Sequence, residues 1–115
     1  MLKSKLAKRI RLLGLDVDGV LTDNAIFIGD IGGARVEFKR FDIQDGLGIA
    51  LLRGGPIEVA LISGRTSAAT VLRGTELQLQ SILQVKGPMK VPAIEELLMQ
   101  RGLNWDEMEI GREHV

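Results

Sequence analysis

Asp16, Asp18 and Asp23 place three carboxylates within eight residues, inside the stretch Gly14-Leu15-Asp16-Val17-Asp18-Gly19-Val20-Leu21-Thr22-Asp23-Asn24. They stand where an apolar-rich segment, Ile10 to Leu15, must end. Side chains alternate along an extended chain, so Asp16 and Asp18 fall on one side of it. Two neighbouring carboxylates repel, and a cation or a shared proton relieves the repulsion. Gly19 lets the backbone turn sharply straight afterwards. An oxygen-rich site at a strand's end suits Mg²⁺, which takes carboxylates, carbonyls and water. The same residue types also build an ordinary Asp-rich turn, so the stretch by itself leaves both readings open.

Two later stretches carry complementary groups. Ile57 to Ile62 is apolar and β-branched, and it runs into Ser63-Gly64-Arg65-Thr66-Ser67, where a helix reaching about Leu72 is expected. A strand, a Ser-Gly and then a helix N-terminus would offer a hydroxyl and free N–H groups to an anion. Read more plainly, Ser63 is a helix cap and Arg65 a surface cation. Further on, Lys86 and Lys90 flank Gly87-Pro88-Met89 at the start of another expected helix, and a lysine there is either solvated or aimed at an anion.

The elements that must position these groups read as follows. Ala25–Ile28 and Ala34–Lys39, separated by Gly29-Asp30-Ile31-Gly32-Gly33, form a β-hairpin, either an edge ribbon or a flap. Asp45 serves as an N-cap for a helix whose stripe is Leu47, Leu51 and Leu52 and which stops at Gly54-Gly55-Pro56. Gly74 to Gln80 is weakly patterned, and Ser81–Val85 is a third short strand. The helix after Lys90 carries Ile94, Leu97 and Leu98, with Pro92 in its first turn and Gly102 at its stop. Asp106 and Glu107 open a short turn, and His114 is solvated. Met1–Arg11 reads as a basic, solvated lead-in to the first strand, in which Leu2, Leu6 and Ile10 would line one face of a short helix.

The string Asp16-Val17-Asp18-Gly19-Val20-Leu21-Thr22-Asp23 resembles the first motif of the haloacid dehalogenase-type phosphatases. More narrowly it is similar to the minimally capped branch acting on 3-deoxy-D-manno-octulosonate 8-phosphate and related sugar-acid phosphates. Ser63-Gly64-Arg65 resembles that family's second motif, and Lys90-Val91-Pro92-Ala93-Ile94-Glu95-Glu96-Leu97 the surroundings of its third. The resemblance implies Asp16 as nucleophile, Asp18 as general acid and base, and Lys90 as a catalytic cation. It implies Ser63, Gly64, Arg65, Thr22 and Asp45 around phosphate and substrate, the Asp45 contact coming from the Asp-Gly-x-Gly loop. It also implies Mg²⁺ as cofactor, a small phosphorylated sugar acid as partner, a role in lipopolysaccharide biosynthesis, and a homotetramer in which the hairpin closes a neighbour's site.

The resemblance lapses at the fourth motif, where the family has Gly-Asp-Asp and this chain has Gly111-Arg112-Glu113. Arg112 puts positive charge where a cation site needs negative charge. The metal set expected is therefore Asp16, Asp18 and Glu113, with weak Mg²⁺ binding. Residues 1–115 are expected to be a single phosphatase-type domain lacking the C-terminal part of the family fold. Its class is α/β: a three-layer, Rossmann-like parallel sheet with an inserted hairpin flap after the first strand. A weak or inactive remnant serving as a binding module is one alternative. A phospho-accepting receiver domain is another, although its acceptor Asp would follow a later strand.

Composition excludes several classes. Hydrophobic residues make up 45% and charged residues 26% of the 115, as in globular domains. Fifteen basic residues balance fifteen acidic ones, which argues against nucleic acid as a partner. With no cysteine there is no disulfide or thiolate chemistry, in keeping with a cytoplasmic protein. No apolar run approaches the ~20 residues needed to span a membrane.

Overall fold

Alternating apolar runs and turn residues set the order of elements in the computed structural model, which describes residues 9–52 and 55–111. Strand β1 is Leu12–Asp16, β2 is Phe27–Ile31 and β3 is Ala34–Phe38. Helix α1 (Ile43–Leu52) precedes strand β4 (Glu58–Ser63), and helix α2 (Ala68–Glu76) precedes β5 (Ser81–Gln84). Helix α3 (Lys90–Arg101) and strand β6 (Met108–Gly111) follow. The main sheet has the order β5-β4-β1-β6, and every pair in it is parallel. The expected α/β class with a hairpin inserted after the first strand is thus the fold observed. Among the described residues, no helix is long and apolar enough to cross a membrane.

The three layers follow from the period of two in β4. Ala60 and Ile62 face one side and pack with Leu12, Met108 and the α3 residues Ile94, Leu97 and Leu98. Val59 and Leu61 face the other, with Val17, Leu21, Ile49 of α1 and Leu77 at the end of α2. Each such side chain contributes about 1.5–3 kcal/mol on burial. Gly14, in the middle of β1, makes room for this packing, because a Cβ there would stand 2.7 Å from Ile62 Cδ1.

The hairpin turns on Gly32 and Gly33, with φ of +60° and +83°. A two-residue hairpin turn of this hand needs positive φ at both positions, which glycine adopts without steric cost. Asp30 Oδ1 accepts the Gly33 N–H at 2.9 Å and fixes the loop. Gly102, at φ +66°, ends α3.

Several expected boundaries are corrected. Helix α1 begins at Ile43, and Asp42, not Asp45, caps it: Asp42 Oδ1 accepts the Gln44 N–H at 2.8 Å. Asp45 lies within the first turn, where its charge favours the helix N-terminus. Leu47 and Leu51 are exposed, and Ile49 is the buried contact of that helix. Helix α2 starts at Ala68, four residues beyond Gly64, and continues past Leu72 to Glu76. Gly74 weakens the helix signal in the sequence. It is nevertheless where α2 meets β5, since a Cβ would come within 2.4 Å of Ile82 Cδ1. Ile10 is buried rather than solvated, while residues 1–8 lie outside the described chain.

At the sheet's opposite edge Arg101 Nε donates to Glu58 Oε1 at 2.7 Å, and the Ser81 hydroxyl donates to Glu58 Oε2 at 2.9 Å. The Arg101 guanidinium holds the Glu58 carboxyl below its ordinary 4.5, against the upward push of burial. The unfolded chain then binds the Glu58 proton more readily, so stability rises with pH through this range. The contribution is complete above about pH 4.5 and is lost as pH falls through the lower folded value. Glu58→Gln is expected to flatten the acid limb of a urea-midpoint-against-pH profile there. An unchanged acid limb would show that the pair does not carry it.

Candidate active site

Because all four strands of the main sheet are parallel, their C-terminal ends share one edge, where open α/β sheets place their ligands. Asp16 is the last residue of β1 and pairs with Ile62 of β4. Asp16 (φ −65°, ψ 141°) and Asp18 (φ −75°, ψ 121°) each have extended backbone angles on either side of Val17, and the chain reverses at Gly19 (φ 87°). Val17 between them is fully buried, whereas Asp16 and Asp18 are half-buried. The two carboxylates thus flank a buried valine, although the strand itself ends at Asp16 and a helical turn opens at Val17.

The turn is closed by its own residues. Thr22 N–H donates to the Val17 carbonyl at 3.1 Å. The Thr22 hydroxyl accepts the Gly19 N–H at 3.3 Å and the Asn24 N–H at 3.1 Å. Thr22 and Asp45 also line one side cleft of about 500 Å³, together with Asp23, Arg40, Phe41 and Asp42. Asp23 pairs there with Arg40 at 2.9 Å and accepts the Ala25 N–H at 3.2 Å, so the third carboxylate has partners of its own. Gly46, in the expected substrate loop, leaves space for Arg73, whose Nη2 would lie 2.8 Å from a Cβ.

Ser63 ends β4 and is 1% exposed. Its hydroxyl accepts the Arg65 N–H at 3.1 Å and reaches toward Asp18 Oδ2 at 3.5 Å. Ser63 therefore shapes a loop of four residues and does not cap a helix; Ser67 stands at the α2 N-cap, with its N–H donating to Gln84 Oε1 at 2.6 Å. The Arg65 guanidinium donates to Glu37 Oε2 of β3 at 3.2 Å. Lys90 opens α3 and lies over Gly64, its Nζ 3.9 Å from where a Cβ would stand. A Cβ at position 64 would make ordinary van der Waals contact with the end of that side chain. Lys86 stands one step before the 3₁₀ turn Gly87–Met89.

Lys39 was not singled out by the sequence. It follows β3 and sends a wholly buried side chain into the site, with Nζ 2.8 Å from Asp18 Oδ1 and 3.4 Å from Thr70 Oγ1. No local signal marks it, because Asp18 is 21 residues away. The only hint was its place at the end of an alternating strand, where a charged residue reads as solvated.

The Asp16 carboxylate takes no hydrogen bond or ion pair among the described residues, so it is available to a ligand. No cluster of three acidic or histidine side chains suited to a metal occurs among them. Glu113, expected as a metal ligand, and Arg112 beside it lie outside the described residues. Strand β6 is followed to Gly111, which pairs one position beyond Ile110 with Leu15.

No family model matches the chain. The 3-deoxy-D-manno-octulosonate 8-phosphate phosphatase KdsC of Escherichia coli strain K12 is 40% identical over 92 residues, covering 80% of this chain and 47% of that protein. The chain thus spans about half the length of the curated relatives it matches. Among solved structures, the 3-deoxy-D-manno-octulosonate 8-phosphate phosphatase of Moraxella catarrhalis, in complex with magnesium, phosphate and KDO, superposes with a TM-score of 0.80 at 34% identity. That match covers 92% of this chain and 59% of the other. The cobalt-bound deoxy-D-mannose-octulosonate 8-phosphate phosphatase of Haemophilus influenzae gives 0.78 at 32% identity, over 91% of this chain and 59% of that one. Sequence and fold both bear out the resemblance to this group.

Thr22→Val is expected to cost about 1–2 kcal/mol, because two loop N–H groups lose their acceptor. Asp23→Ala, which removes an exposed pair, is expected to stay within about 0.5 kcal/mol. Urea unfolding of both variants checks this. Equal losses would mean that the Thr22 hydroxyl does not hold the loop.

Proposed function

We propose, from the premise that this chain is a relative of the haloacid dehalogenase-type phosphatases, that it is a phosphoric monoester hydrolase. Its proposed substrate is a sugar-acid phosphate, 3-deoxy-D-manno-octulosonate 8-phosphate in the first instance. The observation that carries this reading is the arrangement at the sheet edge. Asp16 stands without a partner beside Asp18, with the Ser63 hydroxyl reaching Asp18 and Lys90 over the neighbouring Gly64.

In the first step an Asp16 carboxylate oxygen attacks phosphorus, the P–O bond to the sugar breaks, and Asp18 gives its proton to the departing sugar oxygen. The product is an aspartyl-phosphate on Asp16. In the second step Asp18 takes a proton from water, which attacks the same phosphorus. The bond to Asp16 breaks, inorganic phosphate leaves, and both carboxylates return to their starting states. Ser63, the Gly64 N–H and Lys90 hold the phosphate charge, which is the main requirement of phosphoryl transfer.

The free Asp16 carboxylate and the Asp18 backbone carbonyl are hard oxygen donors that fit Mg²⁺, an ion that keeps several waters and shares its remaining positions with phosphate. When bound, it would neutralise charge on the phosphate and the nucleophile. Glu113 is the further ligand proposed from the sequence. Exposed Phe27, Ile28, Ile31 and Phe38 on the hairpin support the oligomer that the family resemblance implies. The competing reading, an inactive binding module, predicts phosphate-analogue binding with no release of phosphate.

Phosphate release from a panel of sugar-acid phosphates, with and without Mg²⁺, separates the two. Asp16→Asn is expected to lower turnover by at least about 10³-fold while the fold survives, since only the nucleophilic charge is removed. Turnover within tenfold of the parent would overturn the assignment. Ser63→Ala is expected to weaken phosphate binding about tenfold, the loss of one charge-assisted hydrogen bond. Unchanged affinity would leave Ser63 a purely structural loop residue.

A further inference from the structure

We infer that Lys39 is the residue that aims Asp18, so the inserted hairpin contributes a positioning group to the catalytic centre of its own chain. The inference rests on the phosphatase reading and adds a residue to it. Lys39 directly follows β3, and its side chain has no solvent exposure. Among the described residues its Nζ has two polar partners, Asp18 Oδ1 at 2.8 Å and Thr70 Oγ1 at 3.4 Å. Thr70 is itself fully buried in α2.

A buried ammonium requires hydrogen-bond acceptors, and Asp18 Oδ1 supplies one both when Oδ2 carries the proton of the general acid and when that proton has left. That requirement works in both directions. Asp18 sits in the turn past the end of β1, between the buried Val17 and Gly19. The short contact through Oδ1 fixes the carboxylate's rotation and leaves Oδ2 toward the Ser63 side, where the hydroxyl lies at 3.5 Å. An acid that must hand a proton to a departing oxygen gains its effect from such fixed geometry.

The arrangement also gives the hairpin a second tie. Glu37, two residues earlier, accepts from Arg65 in the loop after β4. Strand β3 is therefore joined to the sheet edge at both the Asp18 and the Arg65 loops. The two ties hold Lys39 at a fixed height above the sheet although the hairpin itself projects into solvent.

A positioning role for the general acid makes a specific demand on kinetics. A sugar alkoxide is a strong base and needs a proton as it leaves, whereas p-nitrophenolate leaves readily without one. The ratio kcat/KM counts only steps through the departure of the leaving group, so the shared second step does not enter. Lys39→Met, which keeps the chain length and fills the same space, is expected to lower kcat/KM for the best sugar phosphate of the panel by about 10²-fold. For p-nitrophenyl phosphate the fall should stay within about tenfold. In an Asp18→Asn background the same substitution should bring no further selective loss, because its target is already gone. Thr70→Val, which removes the second anchor of the ammonium without changing shape, should give a smaller fall with the same selectivity, and it carries the test if Lys39→Met does not fold. Equal falls on both esters, or no change on either, would overturn the positioning role while leaving the phosphatase reading intact. A parent protein that hydrolyses neither ester would overturn that reading and this inference with it.

Discussion

Strand β1 is hydrogen-bonded on both sides, to β4 from Leu12↔Glu58 to Asp16↔Ile62 and to β6 from Leu12↔Met108 to Leu15↔Gly111. Its register fixes what stands beside what at the sheet edge. With Asp16 opposite Ile62, Ser63 falls level with the first residues of the next turn, within reach of Asp18. A slip of one residue would exchange the faces of the strand and send Asp16 toward the core. Gly14 enforces the register sterically, since Ile62 and Met108 close over it from the neighbouring strands.

Around that strand the layers divide the work. The α3 side supplies Lys90, carried on a helix anchored by Ile94, Leu97 and Leu98 against the sheet. The α1 and α2 side supplies Thr70 and the apolar cluster around Leu61 and Val17, which supports the loop bearing Asp18. The hairpin belongs to neither layer. Its own residues are mostly exposed, and its place is held by the ion pairs from Lys39 and Glu37. Arg73 steadies the segment that follows, lying 5.7 Å over the Phe41 ring and donating to the Asp42 carbonyl at 3.2 Å.

These features describe a rigid edge with a peripheral ribbon. The strand and helix ends are set by packing, which is stiff at protein density. The ribbon is set by a few charge contacts, whose strength depends on how far water is excluded from them. The Lys39–Asp18 contact is the better shielded of the two, because the Lys39 side chain is wholly buried while Arg65 remains partly exposed.

Local chemistry made much of this legible in the sequence. Alternation marked β3, the apolar run from Ile57 to Ile62 marked β4, and Gly102 marked the end of α3. The stretch Gly29-Asp30-Ile31-Gly32-Gly33 marked a turn, which narrows to Gly32-Gly33 because β2 runs from Phe27 to Ile31 rather than from Ala25 to Ile28. The placement of Asp16 at the end of an apolar strand was equally local, because a buried strand must stop where charge accumulates. Long-range packing decided the rest. Gly74 reads as a helix breaker until Ile82 is seen to occupy its missing Cβ, so the extent of α2 was not readable from its own residues. Asp42 and Asp45 are both competent caps, and only the trajectory out of Phe41 selects Asp42. Lys39 is the sharpest case. A lysine after an alternating strand looks solvated, and nothing within several residues contradicts that. It becomes a buried partner of Asp18 only because the chain folds the hairpin back across 21 residues and the core excludes water around the pair.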